Sequence, residues 1–271
     1  MDRQRKRVAN AERVRELVDA AFAARYKDLT AMLTISSAAV ALAEEKSHEL
    51  PADLIAAAWT QYGNALRIAG RYKKAEKALK RAAALPISDP STNIHLLEVT
   101  ASLHRNTGQF ETAAHFLSLA IEAHHALGDS QGEARTYNLL GLVCFDAKDF
   151  PRALHAYQAA LDLLGTDAPI DMVAKTGHNL VESLIASGRL RAASASMALL
   201  EPLFSRFPPG RLTAKTEWLR ARLCREQRLF AAAQLAYERA YDLLNTDPPS
   251  PDLAELLKEM ADLPNPSNPH L

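Results

Sequence analysis

One spacing constrains this chain more than anything else in it: a set of large, small and turn residues that returns every 38 to 40 positions. The first copy reads Trp59, Tyr62, Gly63, Leu66, Gly70, Tyr72, Ala75, Leu79, Ala82. The second is Leu97, Thr100, Ala101, His104, Gly108, Phe110, Ala113, Leu117, Ala120, and the third Tyr137, Leu140, Gly141, Cys144, Lys148, Phe150, Ala153, Tyr157, Ala160. A fourth, Gly177, Leu180, Val181, Leu184, Gly188, Leu190, Ala193, Met197, Leu200, precedes a fifth, Glu217, Arg220, Ala221, Cys224, Arg228, Phe230, Ala233, Tyr237, Ala240. A period of this length means a supersecondary unit repeated in tandem.

Within each copy the residue types have physical reasons. Small residues at Gly63, Ala101, Gly141, Val181 and Ala221 let a first helix, A, approach a second, B, on which Ala75, Ala113, Ala153, Ala193 and Ala233 answer them; Val181 fits least well. Gly70, Gly108 and Gly188 stand where helix A must end, because glycine enters the left-handed region cheaply. One hairpin buries about six such side chains, worth roughly 1.5–3 kcal/mol each. Ordering its residues costs about 1–2 kcal/mol apiece in backbone entropy. A lone hairpin loses that contest, so the copies must lean on one another.

Composition agrees with long, closely packed helices: 48% hydrophobic residues but only 6% aromatic. Lys plus Arg is 32 and Asp plus Glu is 32, so no global charge draws the chain to nucleic acid or acidic lipid. The two cysteines, Cys144 and Cys224, lie far apart without metal-type spacing and are expected to be core residues of a protein in a reducing compartment. The basic start Arg3–Arg7 has no apolar run after it, and nothing approaches the roughly 18 apolar residues of a spanning helix. A soluble, cytoplasmic protein is expected.

The spacing also predicts the organisation. Residues 1–50 read as a degenerate helical hairpin, with the pattern clearest over 10–46, shielding the first repeat. Five repeats follow over about 51–88, 89–128, 129–167, 168–208 and 209–249. Ser250 and Pro251 open a short capping helix over 250–263, with Leu253, Leu256, Leu257 and Met260 on one face. Residues 264–271 are expected to be a flexible tail. Stop and start chemistry at Ser88-Asp89-Pro90, Asp167-Ala168-Pro169 and Asp247-Pro248-Pro249-Ser250-Pro251 supports these bounds.

The pattern resembles the tetratricopeptide repeat in a lengthened, 40-residue form, whose Trp-Leu-Gly-Tyr-Ala-Phe-Ala positions are matched in part in every copy. The junction Ala126-Leu127-Gly128-Asp129 is similar to that of 40-residue subfamilies such as kinesin light chains and bacterial peptide-receptor regulators. His178-Asn179-Leu180 with Gly188-Arg189-Leu190, and Trp218-Leu219 with Arg222, resemble uncharacterised bacterial repeat proteins. The departures are Arg220 at an apolar position and the scarcity of the repeat-ending proline. The resemblance implies an all-α, right-handed superhelical solenoid of antiparallel hairpins whose A helices line a concave groove.

Counting from each repeat start places Ala57, Thr60, Asn64, Arg67, then His95, Glu98, Ser102, Arg105, then Arg135, Asn138, Leu142, Phe145 on that groove. Lys175, His178, Glu182, Ile185 and Lys215, Trp218, Arg222, Arg225 complete it. Seven cations and two acids give +7 − 2 = +5. The expected ligand is a protein or peptide segment with acidic groups: Arg67, Arg105, Arg135 and Arg222 would fork onto carboxylates, Asn64, Asn138 and Asn179 would offer amides to peptide backbone, and Trp218 would anchor it beside Arg222. Groove asparagines of the resembled families support Asn138 and Asn179. Lys175, His178 and Arg225 complete the expected contact set. The protein's own acidic C-terminus is a rival occupant.

The carboxylate clamp of chaperone-binding repeats is not assembled, since Thr60 and Val99 stand where it needs Lys and Asn. No His-Glu-x-x-His, Cys-x-x-Cys, phosphate loop or nucleophile elbow occurs, so neither metal, cofactor nor catalysis is expected. The leading function is a non-catalytic scaffold for a peptide or protein segment. A peptide-sensing regulator acting with a separate effector, and a self-associating structural subunit, are the alternatives.

Overall fold

The computed structural model describes residues 2–25, 27–165, 168–246 and 252–264 of the 271-residue chain. It contains thirteen helices and, among the described residues, no strand. They are α1 (Asp2–Ala24), α2 (Leu29–Glu45), α3 (Ala52–Ile68), α4 (Tyr72–Ala83), α5 (Pro90–Asn106), α6 (Phe110–Ala126) and α7 (Ser130–Asp146). Then follow α8 (Phe150–Leu163), α9 (Ile170–Ala186), α10 (Leu190–Phe204), α11 (Arg211–Glu226), α12 (Phe230–Leu244) and α13 (Leu253–Ala261). The chain forms two compact units, residues 1–136 and 137–271, with the change falling inside α7.

Every A helix of the five repeats ends the same way. Gly70, Gly108, Lys148, Gly188 and Arg228 all have φ between 62° and 74°. In each case the next residue's N–H bonds back five positions, as Arg71 to the carbonyl of Leu66 at 2.8 Å and Leu229 to Cys224 at 2.9 Å. This doubly bonded end satisfies the carbonyls that a helix terminus leaves over. Period, not residue type, fixes the turn: Lys148 and Arg228 adopt the left-handed conformation without being glycine.

In residues 1–136, α1–α2, α3–α4 and α5–α6 pair as hairpins. Helices α1, α3 and α5 lie side by side in one layer, and α2 and α4 pack against α3 and α5 from the other. The leading hairpin is more than a shield: Val14 of α1 and Ala39, Val40 and Ala43 of α2 join Leu54, Ile55 and Ala58 of α3 in one core. A second core unites Leu66, Ala75, Leu79, Leu96, Val99 and Leu103. A Cβ at Gly63 would stand 2.7 Å from Leu79, which is the close approach that its position in the repeat demands. Asp53 ties the α4–α5 loop down by accepting from the N–H groups of Ser88 (2.7 Å) and Asp89 (2.9 Å).

In residues 137–271, α9–α10 and α11–α12 form hairpins, α9 and α11 neighbour each other, and α13 packs on α12. Gly141 presses on the ring of buried Tyr157, which leaves no room for a Cβ. At Val181 the opposing residue is Met197, in the same core, and its unbranched thioether adapts to the extra bulk. The fourth repeat also exchanges sizes elsewhere, since Gly177 sits against Leu200 where the other copies pair a larger residue with alanine.

The anomalous fifth copy is explained by ion pairing. Arg220 donates to Glu201 at 2.6 Å and lies 3.4 Å from Glu217, which in turn approaches Arg239 at 3.8 Å. A chain of alternating charges thus replaces apolar contacts. The capping helix expected over 250–263 corresponds to α13, in which Leu256 is fully buried. The proline-rich segment 247–251 and tail residues 265–271 lie outside the described residues.

Candidate interaction faces

In residues 1–136 the expected groove positions divide into two kinds. Thr60 and Asn64 are not open to a ligand. Thr60 is buried and its hydroxyl donates to the carbonyl of Ala56 at 2.8 Å. Asn64 is only 6% exposed, and its Oδ1 accepts from Arg67 Nε (3.1 Å) and Nη2 (2.7 Å). Its work is to hold Arg67, whose Nη1 also donates to Asn106 of α5 at 3.0 Å. The physical reason is crowding: α3 has α1 on one flank and α5 on the other.

The remaining positions form a surface. Arg135 has a side chain 52% exposed, 3.8 Å from Glu98 Oε1. Arg105 is half-buried. Glu98 also accepts from Thr136 at 2.8 Å and lies 3.6 Å from His124, whose Nδ1 is 2.9 Å from Asp129. Ser102 turns back on the carbonyl of Glu98. His95 is held below the usual histidine range, chiefly by burial, and is therefore neutral at pH 7.

The sequence reading missed the contribution of the leading hairpin. Phe22, near the end of α1, meets His95 of α5 edge-on at 6.2 Å, and the Arg25 guanidinium stacks 3.5 Å above the Phe22 ring. An aromatic followed three positions later by arginine on one helix face was the available signal.

In residues 137–271 two of the singled-out asparagines meet: Asn179 Nδ2 donates to Asn138 Oδ1 at 2.9 Å. Lys175 is exposed and paired with Asp171 at 2.9 Å. The fifth-repeat set has a different fate from the one its spacing suggests. Trp218 is 9% exposed and donates its Nε1–H to Glu259 of α13 at 2.9 Å. Arg222 donates to Glu182 at 2.7 Å and lies 3.9 Å from Glu259; Arg225 is 3.6 Å from Glu259, and Lys215 is 3.6 Å from Asp252. Arg211 forks onto Asp252 at 2.8 and 3.2 Å, and this pairing first of all holds the Asp252 carboxyl below its ordinary range. Tyr237 also donates to Glu259, at 3.0 Å; burial first, and the Glu259 charge next, push its hydroxyl up.

These contacts correct the charge count. The sequence tally splits into +3 − 1 = +2 for Arg67, Arg105, Arg135 and Glu98, and +4 − 1 = +3 for Lys175, Lys215, Arg222, Arg225 and Glu182. Asp252, Glu255 and Glu259 join the second set together with Arg211, the partner of Asp252, giving +4 − 3 = +1. A recess of about 140 Å³ remains between α9, α11 and α13, lined by His178, Glu182, Lys215, Trp218, Arg222 and Glu255 among others. His178 Nδ1 and Arg222 Nε are buried there without a hydrogen-bond partner among the described residues. Burial holds His178 below the usual range, so it too is neutral.

Cys144 and Cys224 form no disulfide; Cys144 is buried, and burial raises the thiol of half-buried Cys224. Among the described residues no three His, Cys, Asp or Glu side chains are grouped to hold a metal ion, and no helix is long and apolar enough to cross a membrane.

Two family profiles described as tetratricopeptide repeat match residues 95–165 and 56–86. No curated protein matches the sequence. Solved structures of low identity share the fold. RapI, in its apo form, is 11% identical over 92% of this chain and 70% of its own, with a TM-score of 0.68. The apo form of the quorum sensor NprR from B. thuringiensis is 16% identical over 92% and 70%, with a TM-score of 0.64. NprR in complex with its cognate peptide NprX gives 15%, 92%, 71% and 0.60. The helical hairpins define an α-solenoid of the tetratricopeptide type. Residues 56–86 and 95–165 thus carry the tetratricopeptide-repeat pattern, and the fold is shared with repeat proteins of low identity.

Proposed function

We propose that the chain is a non-catalytic scaffold whose A-helix face in residues 1–136 binds a protein segment rich in carboxylates. The carrying observation is the row of guanidinium groups on that face, Arg67, Arg105 and Arg135, of which Arg135 is 52% exposed. Arg67 is held in place by Asn64 and Asn106, so little of its motion remains to be lost on binding. Phe22, 44% exposed, supplies an apolar contact beside these cations, and neutral His95 adds a polar group without charge.

Selection from a library of 12-residue peptides tests the reading. Wild-type protein is expected to enrich Asp- and Glu-rich sequences, with affinity falling as salt rises. Arg105→Glu/Arg135→Glu is expected to weaken the selected peptides by about tenfold or more, whereas Lys175→Glu leaves them nearly unchanged. If the double variant selects the same peptides, the face has been misassigned.

A second reading, a peptide-sensing module acting with a separate effector, draws support from the fold shared with NprR, a quorum sensor solved with its cognate peptide. Coupled binding of a purified effector, strengthened by peptide, separates this reading from a passive scaffold.

A further inference from the structure

All four fifth-repeat residues that spacing places on the groove already meet a carboxylate of α13 or its N-cap: Lys215 meets Asp252, while Trp218, Arg222 and Arg225 meet Glu259. We propose that α13 is a resident, displaceable ligand of α11, and that its seat takes an acidic amphipathic helix supplied by a partner. The ligand class is read from the resident itself. Asp252, Glu255, Leu256 and Glu259 stand at i, i+3, i+4 and i+7, one stripe of a helix, with the leucine buried between two acids that contact α11.

Three observations separate a displaceable ligand from a permanent cap. The first is chemistry. Leu256 against Trp218, Tyr237 and Leu244 would suffice to cover the end of the stack, and largely buried ion pairs stabilise no more than the apolar contacts that could replace them. What a row of charged contacts adds is selectivity for a partner of the opposite sign. The second is length. The nine residues of α13 are too few to persist as an isolated helix. Helix α12 ends at Leu244 and α13 begins only at Leu253, so α13 reaches the seat by docking. The third is incompleteness. The recess beside Glu255 stays open, and His178 Nδ1 and Arg222 Nε go without hydrogen-bond partners among the described residues. A longer acidic helix, or one with a better-placed acceptor, would satisfy groups that α13 leaves over.

The inference concerns residues 137–271 and stands apart from the acidic-segment face of residues 1–136. A dye-labelled peptide of residues 251–264, added to the full chain, tests it. Asp252→Asn/Glu259→Gln loosens the resident helix. The added peptide is expected to bind this variant about tenfold tighter than wild type, because the intramolecular competitor is weakened. Arg222→Glu in the same background is expected to abolish binding. Equal affinity for both proteins, or binding to neither, overturns the proposal. Hydrogen exchange of the wild type guards against a variant that fails to fold. The α13 amides are expected to exchange through an opening of their own, ahead of α11 and α12; exchange only with global unfolding overturns the proposal as well. A chain that selects acidic peptides through Arg105 and Arg135 while α13 never opens would reject this inference alone.

Discussion

The two units present the same helices to different company. In residues 1–136 the A-helix face carries Arg67, Arg105 and Arg135, the last of them 52% exposed beside Glu98; in residues 137–271 the equivalent cations of α11 are met by Asp252, at the start of α13, and Glu259 within it. One repeat pattern therefore yields a face with the exposed Arg135 guanidinium on it and a face whose cations are answered by an added helix. What a solenoid can bind is decided by which wall charges the chain itself already answers, and the count of charges along the wall is only the starting point.

The largest expected difference comes from reversing one charge in each unit. Arg222→Glu puts a third carboxylate between Glu182 and Glu259 at a side chain only 26% exposed, and should cost about 2–4 kcal/mol in chemical denaturation. Arg135→Glu, exposed, should cost less than about 0.5 kcal/mol while removing affinity for acidic segments. Equal costs would erase the distinction between the faces. Next, Leu256→Ala should lose about 2–3 kcal/mol and release α13, seen as a red shift in Trp218 emission as the indole leaves its seat. An unchanged emission would mean that the polar contacts hold α13 unaided.

Backbone strain sharpens the comparison on a smaller scale. The A-helix turns of residues 1–136 use glycine at 70 and 108, whereas of the three in residues 137–271 only Gly188 is glycine and Lys148 and Arg228 stand at φ 62°. Lys148→Gly and Arg228→Gly should each stabilise by up to about 1 kcal/mol, and Gly108→Ala should destabilise by a similar amount; thermal melting checks both signs. The smallest effect is with pH. Burial keeps His95 and His178 neutral in the fold, so the unfolded chain binds their protons more readily. Their contribution is complete above the ordinary histidine pKa of about 6.5 and declines as pH falls below it. His95→Gln and His178→Gln should each flatten the fall in melting temperature between pH 7 and 5. The depressed Asp252 carboxyl acts in a lower window: its contact with Arg211 is complete above about pH 4 and lost as pH drops through the folded value, so α13 should stay seated throughout the histidine titration.

Much of the fold was legible because turn geometry follows period. Lys148 and Arg228 were placed at helix ends by spacing alone, although neither is a residue that favours the left-handed region. The close approach of helices A and B at Gly63 and Gly141 was likewise legible, although the side chains met there are Leu79 and Tyr157 and not the alanines that the spacing set opposite them. The site was less legible, because exposure depends on neighbours that a repeat count does not weigh. Thr60 and Asn64 occupy wall positions in register yet are buried on a helix flanked by both α1 and α5. The acids near the C-terminus were visible as composition, but not which side of α13 would carry Glu259 to Trp218. Phe22 and Arg25 were hidden in a leading segment whose repeat signal has decayed.

An amide-resolved NMR titration of the full chain with an acidic 12-residue peptide tests the contrast most directly. The account predicts shifts concentrated around Arg67, Arg105 and Arg135, with the Trp218 indole N–H, held by Glu259, unmoved at low peptide concentration. Early movement of the Trp218 signal while Arg105 and Arg135 stay still would contradict it.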